Sequence, residues 1–315
     1  MSSLFITILN MSLTGAFVIA TVCFTRFFLK KSPKIISYCL WAVVGFRLIF
    51  PFSIESVFSL MPFDAQPIPP NVVVQPMPYA NNLLQGWLTA ASFMWLAGVA
   101  AMLVYSVASF IILKRKLKEA INVEANIYET EIIKTPFVFG IFSPKIYLPK
   151  FLASGERKFI VMHEQAHIKR RDHIVKFVAF VVLCIHWFNP FAWLAFLLMS
   201  ADMEMACDEH VLKELGSKTE VKKGYTSVLL SLATKRCVIG TTPIGFGSGN
   251  VAHRIKNILG LKKQSRVRFV TSMVLVIILS MGFGANRVSI DVISYDVGSQ
   301  IPSYEFLFFG VSCCD

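Results

Sequence analysis

Four long apolar segments alternate with short, strongly polar stretches along this chain. The apolar segments cover residues 4–25, 35–52, 83–113 and 268–285. Apolar stretches of about 18 residues or more are candidates for transmembrane helices. The pattern therefore predicts four transmembrane helices. The first segment lacks the basic start and small-residue cleavage site of a signal peptide, so we interpret it as an anchor.

Positive charge separates the segments that face the two sides of the membrane. Lys and Arg cluster at 26–34, 114–118 and 262–268, whereas 53–82 contains neither residue. Because positively charged loops stay in the cytoplasm, the chain is predicted to begin and end outside. The predicted division is a membrane domain at 1–113 with three transmembrane helices and an extracellular loop at 53–82, a cytoplasmic domain at 114–267, a fourth transmembrane helix at 268–285, and an extracellular tail at 286–315.

Composition supports this interpretation. Hydrophobic residues make up 55% of the chain and charged residues 16%, with a mean hydropathy of +0.61. Soluble domains carry about 25% charged residues. These values are typical of a protein embedded in the lipid bilayer. The net charge of +12 then marks cytoplasmic loops, and no direct nucleic-acid partner is expected. The seven cysteines lack a CxxC pattern and predict neither a disulfide framework nor a cysteine zinc site.

The cytoplasmic domain begins with a β pattern and continues with a helical one. Residues 127–149 alternate β-branched and aromatic side chains, interrupted by turn residues at Thr135-Pro136, Gly140 and Ser143-Pro144. The following stretch, 154–172, predicts a helix with Ser154 as its N-cap. The overall expectation is a mainly α membrane protein with an α+β cytoplasmic domain.

This helix carries the sequence HEQAH. His163 and His167 are four residues apart, so they share one helix face and two imidazoles can reach one zinc ion. Glu164 lies toward the open side of such a metal, where it can accept a proton from water. Because the pattern is short, it also occurs by chance, and a third ligand must decide.

Two residues are candidates for the third ligand. His173 has the position found in HExxHxxGxxH, but Arg170 stands where that pattern has the helix-breaking glycine. We therefore interpret His173 as a polar residue at the helix end. Glu204 lies on a second predicted helix, with Asp208 one turn later, where it can orient a ligand. The alternative is a solvated acidic face formed by Asp202, Glu204, Asp208 and Glu209.

The apolar segment 174–199 decides whether Glu204 can reach the histidines. A single crossing of the membrane would separate them. Asn189-Pro190 interrupts the segment, and proline disfavours a continuous helix there. Each half is then about 20 Å long, shorter than a hydrocarbon core of about 30 Å. We predict a hairpin that dips toward the bilayer and returns, while a single span stays open as the alternative.

Several motifs together resemble the BlaR/MecR-type antirepressor family of integral membrane zinc metallopeptidases, which signals exposure to beta-lactams. They are, in chain order, TPFVFGIFSPKIYLP, HEQAHIKRRDH, HWFNPFAW, EMACDEHVL and RIKNIL. The resemblance implies zinc bound by His163, His167 and Glu204, with Glu164 as general base in a gluzincin-like domain. It also implies that TPFVFG lines the substrate cleft and that a cytoplasmic transcriptional repressor is cleaved, together with the chain itself.

The sequence departs from the family after the fourth apolar segment. Neither S-x-x-K nor K-T-G follows residue 285. We therefore expect a member without the C-terminal penicillin-binding sensor domain, or a truncated form. A signal would then enter through 53–82, the tail or a partner. The glycine-rich stretch 237–253 is a linker or a self-cleavage segment.

The expected function is a regulatory zinc metalloendopeptidase of the bacterial plasma membrane, acting in antibiotic resistance regulation. A quality-control membrane protease and a signalling scaffold with residual protease are the alternatives. A homodimer is left open.

Overall fold

The computed structural model describes residues 2–50, 54–55, 78–150, 152–216, 218–234, 251–261 and 266–286. Helices dominate these residues, and their bounds are α1 Ser2–Phe28, α2 Lys34–Ile49, α3 Pro78–Lys116, α4 Ser154–Lys169, α5 Asp172–Ile185, α6 Pro190–Glu214, α7 Thr219–Thr234, α8 Val251–Gly260 and α9 Arg266–Gly284. The predicted mainly helical class is confirmed. Most of the loop 53–82, the glycine-rich stretch up to residue 250 and the tail beyond residue 286 lie outside the described residues.

The predicted transmembrane segments correspond to α1, α2, α3 and α9. By length and composition, three described helices can cross a membrane: Ser2–Phe28, Gln85–Glu119 and Pro190–Glu214. The helix α2 has 16 residues, and the apolar part of α9, Phe269–Phe283, is also short. Along α3, large apolar side chains such as Trp87 and Met94 are exposed, as expected where a helix faces lipid.

A small sheet follows α3. Its strands are β2 Ile121–Glu124, β3 Ile127–Thr130, β4 Phe137–Phe139 and β5 Lys145–Pro149, in the order β2-β3-β5-β4. The strands β3 and β5 run parallel, and the other neighbours are antiparallel. The predicted strands within 127–149 are confirmed. The strand β2 was not predicted, because all four of its side chains are exposed and give no alternating pattern.

Two very short strands pair elsewhere in the chain. The strand β1, Ile54–Glu55, lies parallel to β6, Ala285–Asn286. This pairing joins a piece of the loop after α2 to the end of α9.

The predicted ends of α4 need correction. Its N-cap is Ala153 and makes no side-chain cap, so the prediction of Ser154 as cap was wrong. The helix stops at Lys169 because Arg171 adopts a left-handed conformation, with φ of 58°. The chain thus turns after α4 without a glycine at position 170. A left-handed residue other than glycine costs only about 1–2 kcal/mol, which nearby contacts can offset.

The predicted hairpin is present as α5 and α6, joined by a turn at 186–189. The Asn189 side chain caps α6 by accepting the backbone N–H of Phe191, and Pro190 takes the first helical position. The helix α6 has 25 residues, about 37 Å. The prediction that both arms are too short to cross the bilayer was therefore wrong for α6. No helix-breaking residue separates its apolar start from its acidic end.

Two reversals of direction bring α4 and α6 side by side. The chain turns once between α4 and α5 and again between α5 and α6, and α4 packs against α6. One apolar core lies among α1, α2, α5, α6 and α9, and a second joins α4, α6, α7 and α8. The second core includes Cys207 and Tyr225, directly beside the histidines of α4.

Candidate metal centre

The two histidines of α4 point the same ring atom at one another. The Nε2 atoms of His163 and His167 are 3.1 Å apart. Each opposite nitrogen is engaged: Nδ1 of His163 lies 2.8 Å from the Tyr225 hydroxyl, and Nδ1 of His167 lies 2.7 Å from Asp172 Oδ2. The Tyr225 hydroxyl donates to Asp208 Oδ1 at 2.8 Å, so it accepts from the imidazole N–H. Both Nε2 atoms therefore present lone pairs.

Two facing lone pairs at this distance repel, so the two Nε2 atoms need either a shared proton, which their hydrogen-bond distance of 3.1 Å allows, or a metal ion near both. Glu204 completes the arrangement, with Oε2 3.4 Å from Nε2 of His163 and Oε1 3.8 Å from Nε2 of His167. Donors at about 2.1 Å from one tetrahedral zinc ion are about 3.4 Å apart. The three residues therefore fit a single metal ion, and the structure brings together the set that the sequence predicted.

Asp208 lies behind His163 rather than beside the metal position. It is fully buried, and its Oδ1 is 3.3 Å from Nδ1 of His163. This is the placement expected of a group that orients a ligand. The sequence did not reveal Tyr225 and Asp172, which share this task. Tyr225 comes from α7, and Asp172 was hidden because the turn before it was not predicted.

A buried arginine from α8 also enters the site. Arg254 binds Asp208 with two nitrogens, Nε at 2.8 Å and Nη2 at 2.7 Å. Its Nη1 lies 3.1 Å from Glu204 Oε2, and its Nη2 lies 3.4 Å from His163 Nε2. Arg254 stands at the start of the motif RIKNIL, which the resemblance included without giving the arginine a role.

The four acidic residues of α6 between positions 202 and 209 do not form one cluster. Glu204 and Asp208 face the histidines. Asp202 instead accepts two hydrogen bonds from Arg26, at 2.7 and 2.8 Å, and one from Trp41 at 2.8 Å. Glu209 accepts hydrogen bonds from the backbone N–H of Lys34 at 2.9 Å and from the side-chain amide of Asn257 at 3.0 Å. The alternative of a solvated acidic face was therefore wrong, because Asp202 and Asp208 are buried.

The electrostatics of the site favour a positive charge at the imidazoles. Burial lowers the pKa of His163, but Cys207 and Glu204 outweigh burial and raise it to about 10. The pKa of His167 is also raised, because Cys207 and Asp172 outweigh burial. Glu164 is only 7% exposed, and this burial raises the pKa of its carboxyl group. The site thus stabilises a cation next to a carboxyl group that holds its proton more readily than an exposed glutamate.

Two further residues were judged from the sequence. His173 lies in the first turn of α5, and its Nδ1 has no hydrogen-bond partner among the described residues. It does not belong to the group of metal-binding side chains found within the described part of the chain. That group contains Cys207 with His163 and His167, and its donor atoms lie within 4.8 Å of one another. Cys207 was missed because the cysteine pattern was judged only by its spacing to other cysteines.

Comparison with known proteins identifies the family of this chain. A family model described as BlaR1 peptidase M56 matches residues 6–258. The chain is 35% identical over 96 residues to the "Regulatory protein BlaR1" of Bacillus licheniformis, which is 30% of this chain and 16% of that relative. It is 30% identical over 133 residues to the "Methicillin resistance mecR1 protein" of Staphylococcus aureus and of Staphylococcus epidermidis, which is 40% of this chain and 23% of each relative. The matched stretch thus spans less than a quarter of these relatives.

Proposed function

This chain belongs to the BlaR1 peptidase M56 family, and from that premise we propose that it is a regulatory zinc metalloendopeptidase of the bacterial plasma membrane. One observation carries the proposal. The Nε2 atoms of His163 and His167 and the carboxylate of Glu204 converge within 3.8 Å of one another. Glu164, the next residue after His163 on α4, is also buried.

The residues take distinct roles in peptide hydrolysis. His163, His167 and Glu204 would hold the zinc ion. When bound, zinc supplies Lewis-acid polarisation of a carbonyl group and makes water more acidic. Glu164 accepts a proton from the attacking water and returns it to the leaving amine. Its raised pKa suits a group that must both take and give a proton near neutral pH.

The second layer of contacts keeps the imidazoles in one orientation. Asp172 accepts the Nδ1–H of His167, while Tyr225 and Asp208 hold the Nδ1 side of His163. Both Nε2 atoms are left with a lone pair for the metal. The contacts also prevent the rings from rotating away, which keeps the metal close to Glu164.

A substrate peptide has a place to bind next to this site. Within the described residues, β4 is an edge strand that pairs only with β5, and it packs against α4. An extended peptide can add to such an edge through backbone hydrogen bonds. The strand belongs to the motif TPFVFG, which the resemblance assigns to the cleft. We place the scissile bond between β4 and the histidines of α4.

The proposed substrate is a cytoplasmic transcriptional repressor, with the chain itself as a second substrate. The name of the Bacillus licheniformis relative describes a regulatory protein, and the staphylococcal relatives are named for methicillin resistance. We extend regulation of antibiotic resistance to this chain on that basis. We propose a cytoplasmic peptidase domain at 114–267, which the basic clusters support. The hairpin of α5 and α6 then enters the membrane and returns.

The decisive experiment removes only the proton acceptor. The full chain with Glu164→Gln is expected to fold and to retain one zinc ion, yet to lose cleavage of a candidate repressor. Glu220→Gln provides the control, because Glu220 is exposed on α7 and pairs only loosely with Lys223. Zinc content is measured by elemental analysis and cleavage by electrophoresis. Undiminished cleavage by the Glu164→Gln chain would contradict the proposed function.

A further inference from the structure

Cys207 lies where a fourth metal ligand would lie. It follows Glu204 by three residues on α6, so both side chains point toward α4. Its donor atom lies within 4.8 Å of those of His163 and His167. The side chain is completely buried. The sulfur donates a weak hydrogen bond to the backbone carbonyl of His163, at 3.4 Å, which holds it against the helix that carries both histidines.

A second observation points to another anionic donor at the histidines. The Oε2 atom of Glu204 is 3.4 Å from His163 Nε2 but also 3.1 Å from the guanidinium of Arg254. Part of the Glu204 charge is therefore compensated by the arginine. The sulfur of Cys207 is on the same side of α6. Thiolate is among the most favourable protein ligands for zinc, together with imidazole.

We propose that Cys207 is a ligand of the metal, bound through its thiolate beside His163, His167 and Glu204. The inference rests on the proposed zinc peptidase and extends it. On binding, the sulfur gives up its proton to solvent and uses the freed electron pair for the bond to the metal. Only a small movement is needed, because the donor atoms are already within 4.8 Å.

This ligand has a consequence for regulation. Catalytic zinc sites usually have three protein ligands and one open position, whereas four protein ligands give a closed site. The Cys207-bound form is therefore latent, and release of the sulfur opens the position that the reaction needs. Because Cys207 and Glu204 share α6, a rotation of this helix changes the two bonds together. Such a site suits a peptidase that must stay inactive until it receives a signal.

Cobalt provides a direct test, because a thiolate bound to Co²⁺ gives a charge-transfer absorption band in the near ultraviolet. The full chain is studied in detergent with Cys313 and Cys314 replaced by serine, so that adjacent thiols of the tail cannot bind the probe. We expect one Co²⁺ per chain and a clear thiolate band. Cys207→Ser should lose the band while keeping visible cobalt transitions from the remaining ligands. Cys184→Ser is the matched control, since Cys184 is also buried but lies in the apolar core of α5.

The outcomes separate the two proposals. One bound Co²⁺ with visible transitions but no thiolate band in the parent chain would overturn the role of Cys207 and leave the zinc peptidase standing. This spectrum decides even if Cys207→Ser fails to fold. Cobalt binding that is unaffected by His163→Ala would instead overturn the metal centre itself. A Cys207→Ser chain that keeps cobalt but shows no gain in basal cleavage would overturn the latency alone.

Discussion

The two faces of α6 carry the same kind of side chain and use it for different purposes. On the metal-facing side, Glu204 lies opposite two imidazole lone pairs. On the opposite side, Asp202 has its carboxylate satisfied by Arg26 and Trp41. The two residues are two positions apart in the sequence, which corresponds to about 200° around an α-helix. The Asp202 carboxylate accepts hydrogen bonds that dock the helix, whereas the Glu204 carboxylate faces Arg254 on one side and the two histidines on the other, where it can share a metal ion with them.

The largest effect on zinc binding is expected when ligands are removed from the side of α6 that faces the histidines. In the double variant Glu204→Ala, Cys207→Ser the site keeps two histidines as strong ligands, one fewer than the three protein ligands usual for catalytic zinc. Zinc should be largely lost, and cleavage with it. Elemental analysis of the purified chain in detergent measures the loss. Full zinc content in this double variant would contradict the assignment of both Glu204 and Cys207 as ligands.

Asp208 should have a smaller effect, because it acts through His163. Asp208→Ala is expected to weaken metal binding by roughly 10–100-fold, the range typical of groups that orient a ligand. Competition with a chelator of known affinity gives the value. The substitution also removes two hydrogen bonds of Arg254. Asp208→Asn, which keeps one oxygen acceptor for the guanidinium, is therefore studied alongside it. Metal affinity equal to that of the parent chain in both variants would remove Asp208 from the site.

A substitution of Asp202, on the opposite side of α6, should lower stability and leave metal binding unchanged. Asp202→Asn breaks a pair in which Asp202 is 1% and Arg26 18% exposed. Breaking a fully buried pair costs about 3–5 kcal/mol, and because Arg26 is partly exposed we expect about 1–3 kcal/mol. Thermal unfolding in detergent measures the change, and Arg26→Gln completes a double-mutant cycle. A large loss of metal affinity in Asp202→Asn would show that the two faces are not independent.

His173 should have the smallest effect of all. It lies beyond the turn at Arg171 and outside the group formed by His163, His167 and Cys207. His173→Ala is therefore expected to bind about one zinc ion per chain, the stoichiometry of a single catalytic site. The measurement is again elemental analysis, alongside the double variant Glu204→Ala, Cys207→Ser. Loss of zinc in His173→Ala with full content in the double variant would reverse the ligand assignment.

The sequence predicted what depends on local spacing. Helical periodicity was enough to put His163 and His167 on one face, and the interruption at Asn189-Pro190 was enough to predict a hairpin. These signals are local because helix geometry repeats every 3.6 residues. The same rule relates Glu204 to Asp208, and the hairpin then brings them to the histidines.

Contacts between distant residues could not be predicted in this way. Tyr225 and Arg254 reach the site from α7 and α8, 62 and 91 residues after His163. Nothing in their local sequence indicates which cavity they enter. The turn at Arg171 was missed for another reason. Arginine rarely adopts the left-handed conformation, but the energetic cost is small. A turn at Arg171 was therefore not expected from a sequence that has no glycine there.

Because α6 is long and unbroken, a small tilt at one end of this helix would give a large displacement at the other. One end is fixed at Asn189, whose amide donates to the backbone oxygen and hydroxyl of Ser12 on α1 at 3.0 and 2.7 Å. Glu204 lies fifteen residues further on, about 22 Å along the axis. A tilt of only about 5° at the fixed end would carry the carboxylate about 2 Å sideways over this length. Metal–ligand distances tolerate about 0.2 Å, so a tilt of this size would carry Glu204 out of reach of a metal ion held by His163 and His167.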